Sequence, residues 1–280
     1  MTFSIVAADP EANEVGVATQ SKFLAVGAVV PWARGGLGAV ATQSFADATF
    51  GPRGLDLLAE GLDPQSTLDR LLSDDERRET RQAGIVDASG RAASFTGKEC
   101  FEHAASLTGK GHACQGNILA SEDVVPAMAA GFEGATGPLA ERLIEALRAG
   151  QRAGGDRRGQ EAAALYVAKP GGGYGGNNDR YIDLRVDHSD QPIEELASLL
   201  SLHRLYFERP RQEDLLDADE SVETEIRDLL AKLGRLDDGK GLWESLSDYM
   251  GWENLEERWA GRGRIDPRVL DYLRIQARDA

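Results

Sequence analysis

Four strand-patterned segments, joined two by two through turn residues, precede the first helical pattern of this chain, and that order narrows its fold more than any other feature. Thr2 to Ala7 alternates Thr, Ser and Val with Phe, Ile and Ala, the period-2 pattern of a half-buried strand. Asp9-Pro10-Glu11-Ala12-Asn13 supplies turn residues, and Glu14 to Gln20 returns as a second strand. Ala25 to Trp32 and Gly36 to Gln43 form another strand pair across Ala33-Arg34-Gly35. From Gly51-Pro52-Arg53-Gly54 onward the spacing becomes helical: Leu55, Leu58 and Leu62, then Leu68, Leu71 and Leu72, with Asp63-Pro64 opening a second helix.

Further along, Gln82 to Asp87 and Ala92 to Thr96 make a hairpin, and Ala113 to Leu119 is a short strand leading into a helix from Ser121 to Phe132. A long helix runs from Gly137-Pro138 to Ala149 and stops at the breaker run Gly150 to Gly155. Strands at Ala162 to Lys169 and Tyr181 to Val186 flank a glycine-rich loop, and a helix from Pro192 to Phe207 closes the domain. Strands and helices do not alternate as in a doubly wound sheet. The order predicts an α+β fold: hairpin-rich antiparallel sheets covered by helices on their outer faces, a four-layer α/β/β/α sandwich.

At 280 residues, one large domain and a small one are expected. The proposed division is a main domain over 1–207, an acidic linker over 208–220 and a small all-α domain over 221–280. In the last, Val222 to Leu233, Leu242 to Tyr249 and Pro267 to Ala277 read as amphipathic helices, and Trp243, Trp252 and Trp259 are expected to form an aromatic core, the alternative being a docking module with an aromatic face. The 47 Asp and Glu against 31 Lys and Arg give a formal charge of −16, which repels phosphate backbones and anionic lipid, so neither nucleic acid nor membrane is an expected partner. No basic leader followed by an apolar run opens the sequence and no stretch approaches the ~20 apolar residues of a span, so a cytoplasmic protein is expected. Cys100 and Cys114, with His103 and His112 nearby, match no metal-ligand spacing; reduced thiols are expected, with a single disulfide the alternative, and no metal or cofactor.

Chemistry points first to Thr2. Its side chain is small enough for methionine aminopeptidase to remove Met1, and a strand begins at once. A free α-amine has a reference pKa of about 7.7–8.0, so part of it is neutral near pH 7 and can accept the hydroxyl proton. One residue then supplies both nucleophile and general base. The plain alternative is that Thr2 is a good strand former.

The opening resembles that of proteasome β-type subunits, in which a threonine strand, its hairpin partner, a second hairpin and a first helix follow in the same order. The segments Thr2-Phe-Ser-Ile-Val-Ala, Ser21-Lys22-Phe23-Leu24-Ala25-Val26-Gly27, Gly51-Pro52-Arg53-Gly54-Leu55, Gln115-Gly116-Asn117-Ile118-Leu119, Gly155-Asp156-Arg157-Arg158-Gly159 and Asn178-Asp179-Arg180-Tyr181-Ile182-Asp183-Leu184-Arg185-Val186 resemble domain-of-unknown-function family 1028 through about His203. That resemblance implies an N-terminal-nucleophile-like fold and leaves the substrate open. Proteasome-type enzymes place a lysine beside the threonine; the corresponding stretch here, Ala25-Val26-Gly27-Ala28, has none, and Lys22 falls on a different strand step. The C-terminal part resembles peptidoglycan-binding-like domains through Glu225-Ile-Arg-Asp-Leu-Leu-Ala-Lys-Leu-Gly and Ile265-Asp266-Pro267-Arg268-Val269-Leu270.

For the remainder of a site, Asn117 in a glycine turn could donate its amide to an oxyanion, or simply be a turn asparagine. Thr42, Gln43 and Ser44 are polar at the end of a core strand. Arg53, Arg157 and Arg180 could clamp a carboxylate, or pair internally with Asp56, Asp156 and Asp179. The candidate set is therefore Thr2 and Asn117 for catalysis, with Gln43, Ser44, Arg53, Asp156, Arg157, Asp179 and Arg180 for substrate. The function this predicts is an amidohydrolase acting on a small amide through Thr2. A non-catalytic ligand-binding or scaffold protein on the same fold is the rival, and a homo-oligomer is left open.

Overall fold

The computed structural model describes residues 2–237 and 239–279, which fall into two compact units, 1–200 and 201–280. In the first, β1 (Thr2–Asp9) and β2 (Glu14–Ser21) form the opening hairpin. Its turn is fixed locally, because Asp9 Oδ1 accepts from the backbone N–H groups of Glu11 and Ala12, both at 3.1 Å, and Asn13 takes the left-handed region at φ 55°. Next come β3 (Pro31–Arg34), β4 (Gly38–Ser44), α1 (Phe50–Ala59) and α2 (Pro64–Ser73). Asp63 caps α2, its side chain accepting from the N–H groups of Gln65 and Ser66, with Pro64 at the first helical position. The chain continues through β5 (Arg81–Asp87), β6 (Ala92–Thr96), β7 (Ala105–Gly109), β8 (His112–Asn117), α3 (Val124–Gly134), α4 (Leu139–Arg152), β9 (Ala162–Ala168), β10 (Arg180–Val186) and α5 (Pro192–Phe207).

The strands make a six-stranded sheet, β10-β9-β2-β1-β8-β7, and a four-stranded sheet, β3-β4-β5-β6, antiparallel throughout. Phe3, Ile5 and Ala7 of β1 pack with Met128, Phe132, Leu143 and Leu147 of α3 and α4, covering the outer face of the larger sheet. Val40, Ala83 and Ile85 pack with Phe50, Leu55, Leu68 and Leu71 of α1 and α2 on the outer face of the smaller one. Between the sheets lies a third cluster, with Val6, Val15, Val17, Ala39, Ala41 and Val86. The first unit is thus an α/β/β/α sandwich.

Two local readings need correction. Ala25 to Trp32 is not a continuous strand: Ala25 adopts φ 53°, a 3-10 turn covers Val26–Ala28, and β3 begins only at Pro31. Left-handed backbone at Ala25 cannot continue a pleat, and the turn instead buries Val26. The strand β7 was not expected; it is an edge strand, Ala-Ser-Leu-Thr-Gly, whose residues are all partly or fully exposed, so it carries no apolar alternation.

The division between units falls inside α5, after Leu200. The second unit takes in the end of α5, β11 (Leu216–Asp217), α6 (Glu220–Lys232), α7 (Leu242–Trp252), β12 (Arg264–Ile265) and α8 (Pro267–Asp279). The stretch 208–220 is built into this unit, since Leu215 is buried, β11 pairs with β12, and Asp219 caps α6. The expected tryptophan core is only partly present, since Trp243 packs against the interior while Trp252 and Trp259 do not join it. Ile226, Leu230, Leu242, Leu246, Met250, Leu255, Val269, Leu270 and Leu273 fill the interior with Tyr249, while Trp252 is 68% exposed and Trp259 36%. The aliphatic stripes of α6, α7 and α8 close on one another, leaving Trp252 outside with the Arg235 guanidinium 4.4 Å from its ring centre. Arg258 is buried and paired to Asp266, and it donates to the carbonyls of Arg204 and Leu205 at the end of α5.

Candidate functional site

Alternation along β1 puts Phe3, Ile5 and Ala7 toward the helices, so Thr2, Ser4, Val6 and Ala8 face the opposite sheet. The intersheet layer is apolar around Val6 and Ala8 and becomes polar toward Thr2. There, β1, β4, β5 and β8 each contribute amides or hydroxyls: Ser4, Gln43, Gln82, Gln115 and Asn117, all at most 1% exposed.

These groups bond to one another, although Gln115 Oε1 and Asn117 Oδ1 are buried without a partner. Ser4 Oγ donates to Gln43 Oε1 at 2.6 Å and accepts from Gln115 Nε2 at 2.7 Å. Gln43 Nε2 donates to Gln82 Oε1 at 2.8 Å and to the backbone oxygen of Thr2 at 3.2 Å. Gln82 Oε1 also accepts from Asn117 Nδ2 at 2.8 Å, while its own Nε2 donates to Thr96 Oγ1, Ala105 O and Gly116 O. A polar group buried without such partners would cost about 1–3 kcal/mol. The network therefore fixes the position of the Thr2 backbone from below. Gly84 is required for it, because a Cβ there would lie 2.2 Å from Gln115 Oε1.

Thr2 lies at the start of β1, opposite Asn117 on β8, and is 4% exposed. Its Oγ1 donates to Ser21 Oγ at 3.2 Å, and the same Ser21 oxygen accepts from the N–H of Phe23 at 3.0 Å. Above it opens a cavity of about 360 Å³. Thr2, Gln43 and Ser44 supply its polar floor; Phe23, Val26, Val29, Val30, Phe45 and Ala46 its apolar wall; and Arg77 and Arg81 its positive side. Ser44 sits at φ 69°, where a non-glycine residue is strained by on the order of 1–3 kcal/mol, at the point where β4 leaves the sheet beside the cavity. Arg81 is buried; its Nε and Nη2 meet Asp75 at 2.6 and 3.2 Å, and its Nη1 donates to the Phe45 carbonyl. The hydrogen bond from Arg81 holds the Asp75 carboxyl below the ordinary carboxylate range.

Of the residues expected at the site, the fold brings together Thr2, Gln43 and Ser44 at the cavity. Asn117 lies behind it, with its amide nitrogen given to Gln82. Asp156 does not line the cavity but anchors its approach, accepting from the N–H of Lys22 at 3.0 Å and that of Arg158 at 2.9 Å. Arg157 is 3.8 Å from Glu102, and Arg53 is exposed on α1. Asp179 accepts from the N–H of Gly35 at 2.6 Å, and Arg180 lies 3.3 Å from Asp183. Gly35 precedes β4, whose other end carries Gln43 and Ser44, so Asp179 and Arg180 occupy the opposite end of the sandwich, roughly 20 Å away at strand rise. Neither Asp156 nor Asp179 pairs with the arginine beside it as expected for Arg157 and Arg180; Asp156 takes Arg158 instead. Lys22 Nζ is committed to Glu161 and Gln160 O at 2.9 and 3.0 Å.

Arg77 and Arg81 were not expected at the site, since they follow Ser73-Asp74-Asp75-Glu76, a run that reads as a solvated turn. Three glutamines, each inside an otherwise apolar strand (Gln43, Gln82, Gln115), were the available signal for the polar layer. Among the described residues no group of three or more His, Cys, Asp or Glu is placed to hold a metal ion, and Cys100 and Cys114 are free thiols. No helix among them is long and apolar enough to cross a membrane.

The fold and site define a two-sheet α/β/β/α protein with a threonine-floored cavity at one end of the sandwich. Residues 2–196 match the model "Family of unknown function (DUF1028)", and the chain belongs to that family. The crystal structure of a Silicibacter pomeroyi protein of the same family is 32% identical and superposes with a TM-score of 0.66, covering 72% of this chain and 86% of that one. Residues 206–273 match a model described as "Putative peptidoglycan binding domain". No curated protein matches the chain.

Proposed function

We propose that the first unit is an amidohydrolase whose nucleophile is Thr2 Oγ1, with the α-amine of Thr2 as its base after removal of Met1. The observation that carries this reading is the position of Thr2: the first residue of a central strand, its backbone held by Gln43 and its side chain on the floor of a 360 Å³ cavity. In the reaction the amine takes the hydroxyl proton while Oγ1 bonds to the substrate carbonyl carbon. The C–N bond then breaks as that proton passes to the leaving nitrogen, giving an ester on Thr2. Water, deprotonated by the same amine, attacks the ester; the C–Oγ1 bond breaks, the amine returns the proton to Oγ1, and the acid leaves. Ser21 accepts from the Thr2 hydroxyl and orients it; Gln43, Gln82 and Asn117 act behind it as positioning residues.

A non-catalytic binding role on the same fold is the second reading, favoured by one observation: Lys22, the lysine nearest in sequence, is turned to Glu161 and away from Thr2. Turnover separates the two. Wild type should hydrolyse members of a small-amide panel, Thr2→Ser should retain part of that rate, and Thr2→Ala should lose it by at least ~10³-fold, as for other covalent nucleophiles. Equal rates in wild type and Thr2→Ala would leave only the binding role.

A further inference from the structure

The chain has a net charge of −16, yet among the described residues the side chains lining the Thr2 cavity include two guanidinium groups and no carboxylate. The two arginines differ in what they can still bind. Arg81 is used up: Asp75 takes its Nε and Nη2, and the Phe45 carbonyl takes Nη1. Asp75 is hydrogen-bonded by Arg81 alone, and its single charge acts on both guanidinium groups. Arg77 is exposed, its side chain makes no ion pair among the described residues, and its guanidinium carbon lies 5.7 Å from the centre of the Phe45 ring. A guanidinium held near an aromatic ring keeps N–H donors available for a bidentate carboxylate. Around it the wall is apolar: Phe45, Phe23 and Val26.

We propose that the cavity is specific for amides that also carry a carboxylate, with Arg77 pairing that carboxylate, the Phe45 ring and the valine wall receiving an apolar group, and the amide carbonyl set over Thr2. The amide's fate rests on the nucleophile reading above; the selectivity for a carboxylate does not. It follows from a cation without a salt bridge on the wall of a cavity whose described lining has no acidic residue. Such a cation in a strongly acidic protein selects its ligand locally, because the long-range field acts against anions.

The test uses the full chain carrying Thr2→Ala, which binds without turnover, and calorimetric titration with N-acetyl amino acids bearing apolar side chains, each beside its neutral carboxamide. The acids should bind at least ~10-fold more tightly than their carboxamides, as one charge-assisted bidentate pair allows. Adding Arg77→Gln should erase that ratio, and Arg77→Lys should restore part of it. A panel in which no acid outbinds its carboxamide, or a ratio that survives Arg77→Gln, overturns the proposal. The two readings fail separately. Acid-selective binding without hydrolysis by wild type would keep the Arg77 subsite and remove the nucleophile. Hydrolysis of neutral amides with no dependence on Arg77 would keep the nucleophile and remove the subsite.

Discussion

Gln82 accepts from both Gln43 and Asn117 through one oxygen and donates through Nε2 to Thr96, Ala105 and Gly116. Replacing it with alanine should be among the most damaging single changes in the sandwich. Gln43 Nε2 keeps the Thr2 carbonyl at 3.2 Å, so it is not stranded. Asn117 Nδ2 loses the partner it now has in a site that is fully buried, a cost of about 1–3 kcal/mol. The Gly116 carbonyl loses one bond at about 1 kcal/mol, and the space left by the side chain adds roughly 1 kcal/mol. Thr96 and Ala105 are only partly buried and can turn to water. The sum is about 3–5 kcal/mol, or about 6–20 °C in the melting temperature of a unit of this size. Scanning calorimetry on the full chain should show that shift in one transition, whereas Thr96→Val, at the edge of the same network, should move it by no more than about 2–4 °C. A Gln82→Ala melt within about 2 °C of wild type would refute the idea that these amides hold the sheets together at the Thr2 end.

Two other outcomes follow from burial alone. His112 is fully buried against the Phe132 ring, with Glu133 3.7 Å from Nε2, and burial holds its pKa below the usual histidine value. The unfolded chain therefore takes up this proton first, so stability should be at its full value above about pH 6.5 and fall as pH drops below it. His112→Gln should flatten that dependence in melts at pH 7.5 and 5.5, and an unchanged slope would assign it to other groups. In the second unit, Trp252→Ala should shift stability by no more than about 0.5 kcal/mol while Leu246→Ala costs about 2–5 kcal/mol, measured by urea unfolding. The reverse order would place Trp252 in the core.

The sandwich was legible because both faces of its central strands are buried and its hairpins carry their own turn chemistry, as at Asp9 to Asn13. Strand β7 was not, because an exposed edge strand such as Ala105–Gly109 needs no apolar alternation. The threonine, Gln43 and Ser44 were legible as polar residues at the ends of core strands. Arg77 and Arg81 were not, since nothing local distinguishes a cation that folds over Phe45 from one on a solvated turn. Asp179 and Arg180 stand out in the sequence for a turn at the far end of the sheet, where Asp179 ties down Gly35. Sequence pattern marks where a polar residue is unusual, and only the register decides at which end of a strand it comes to lie.

Whether Thr2 is a nucleophile can be read from intact mass. The purified protein is incubated with a β-lactone, which acylates an activated hydroxyl by ring opening with no leaving group, and the site is located by peptide mapping. A single adduct on Thr2 is expected, confined to chains that have lost Met1, formed faster as pH rises through the ordinary α-amine range near 7.7–8.0, and absent from Thr2→Ala. An unmodified protein without Met1, or an adduct that persists on another residue in Thr2→Ala, would contradict the assignment.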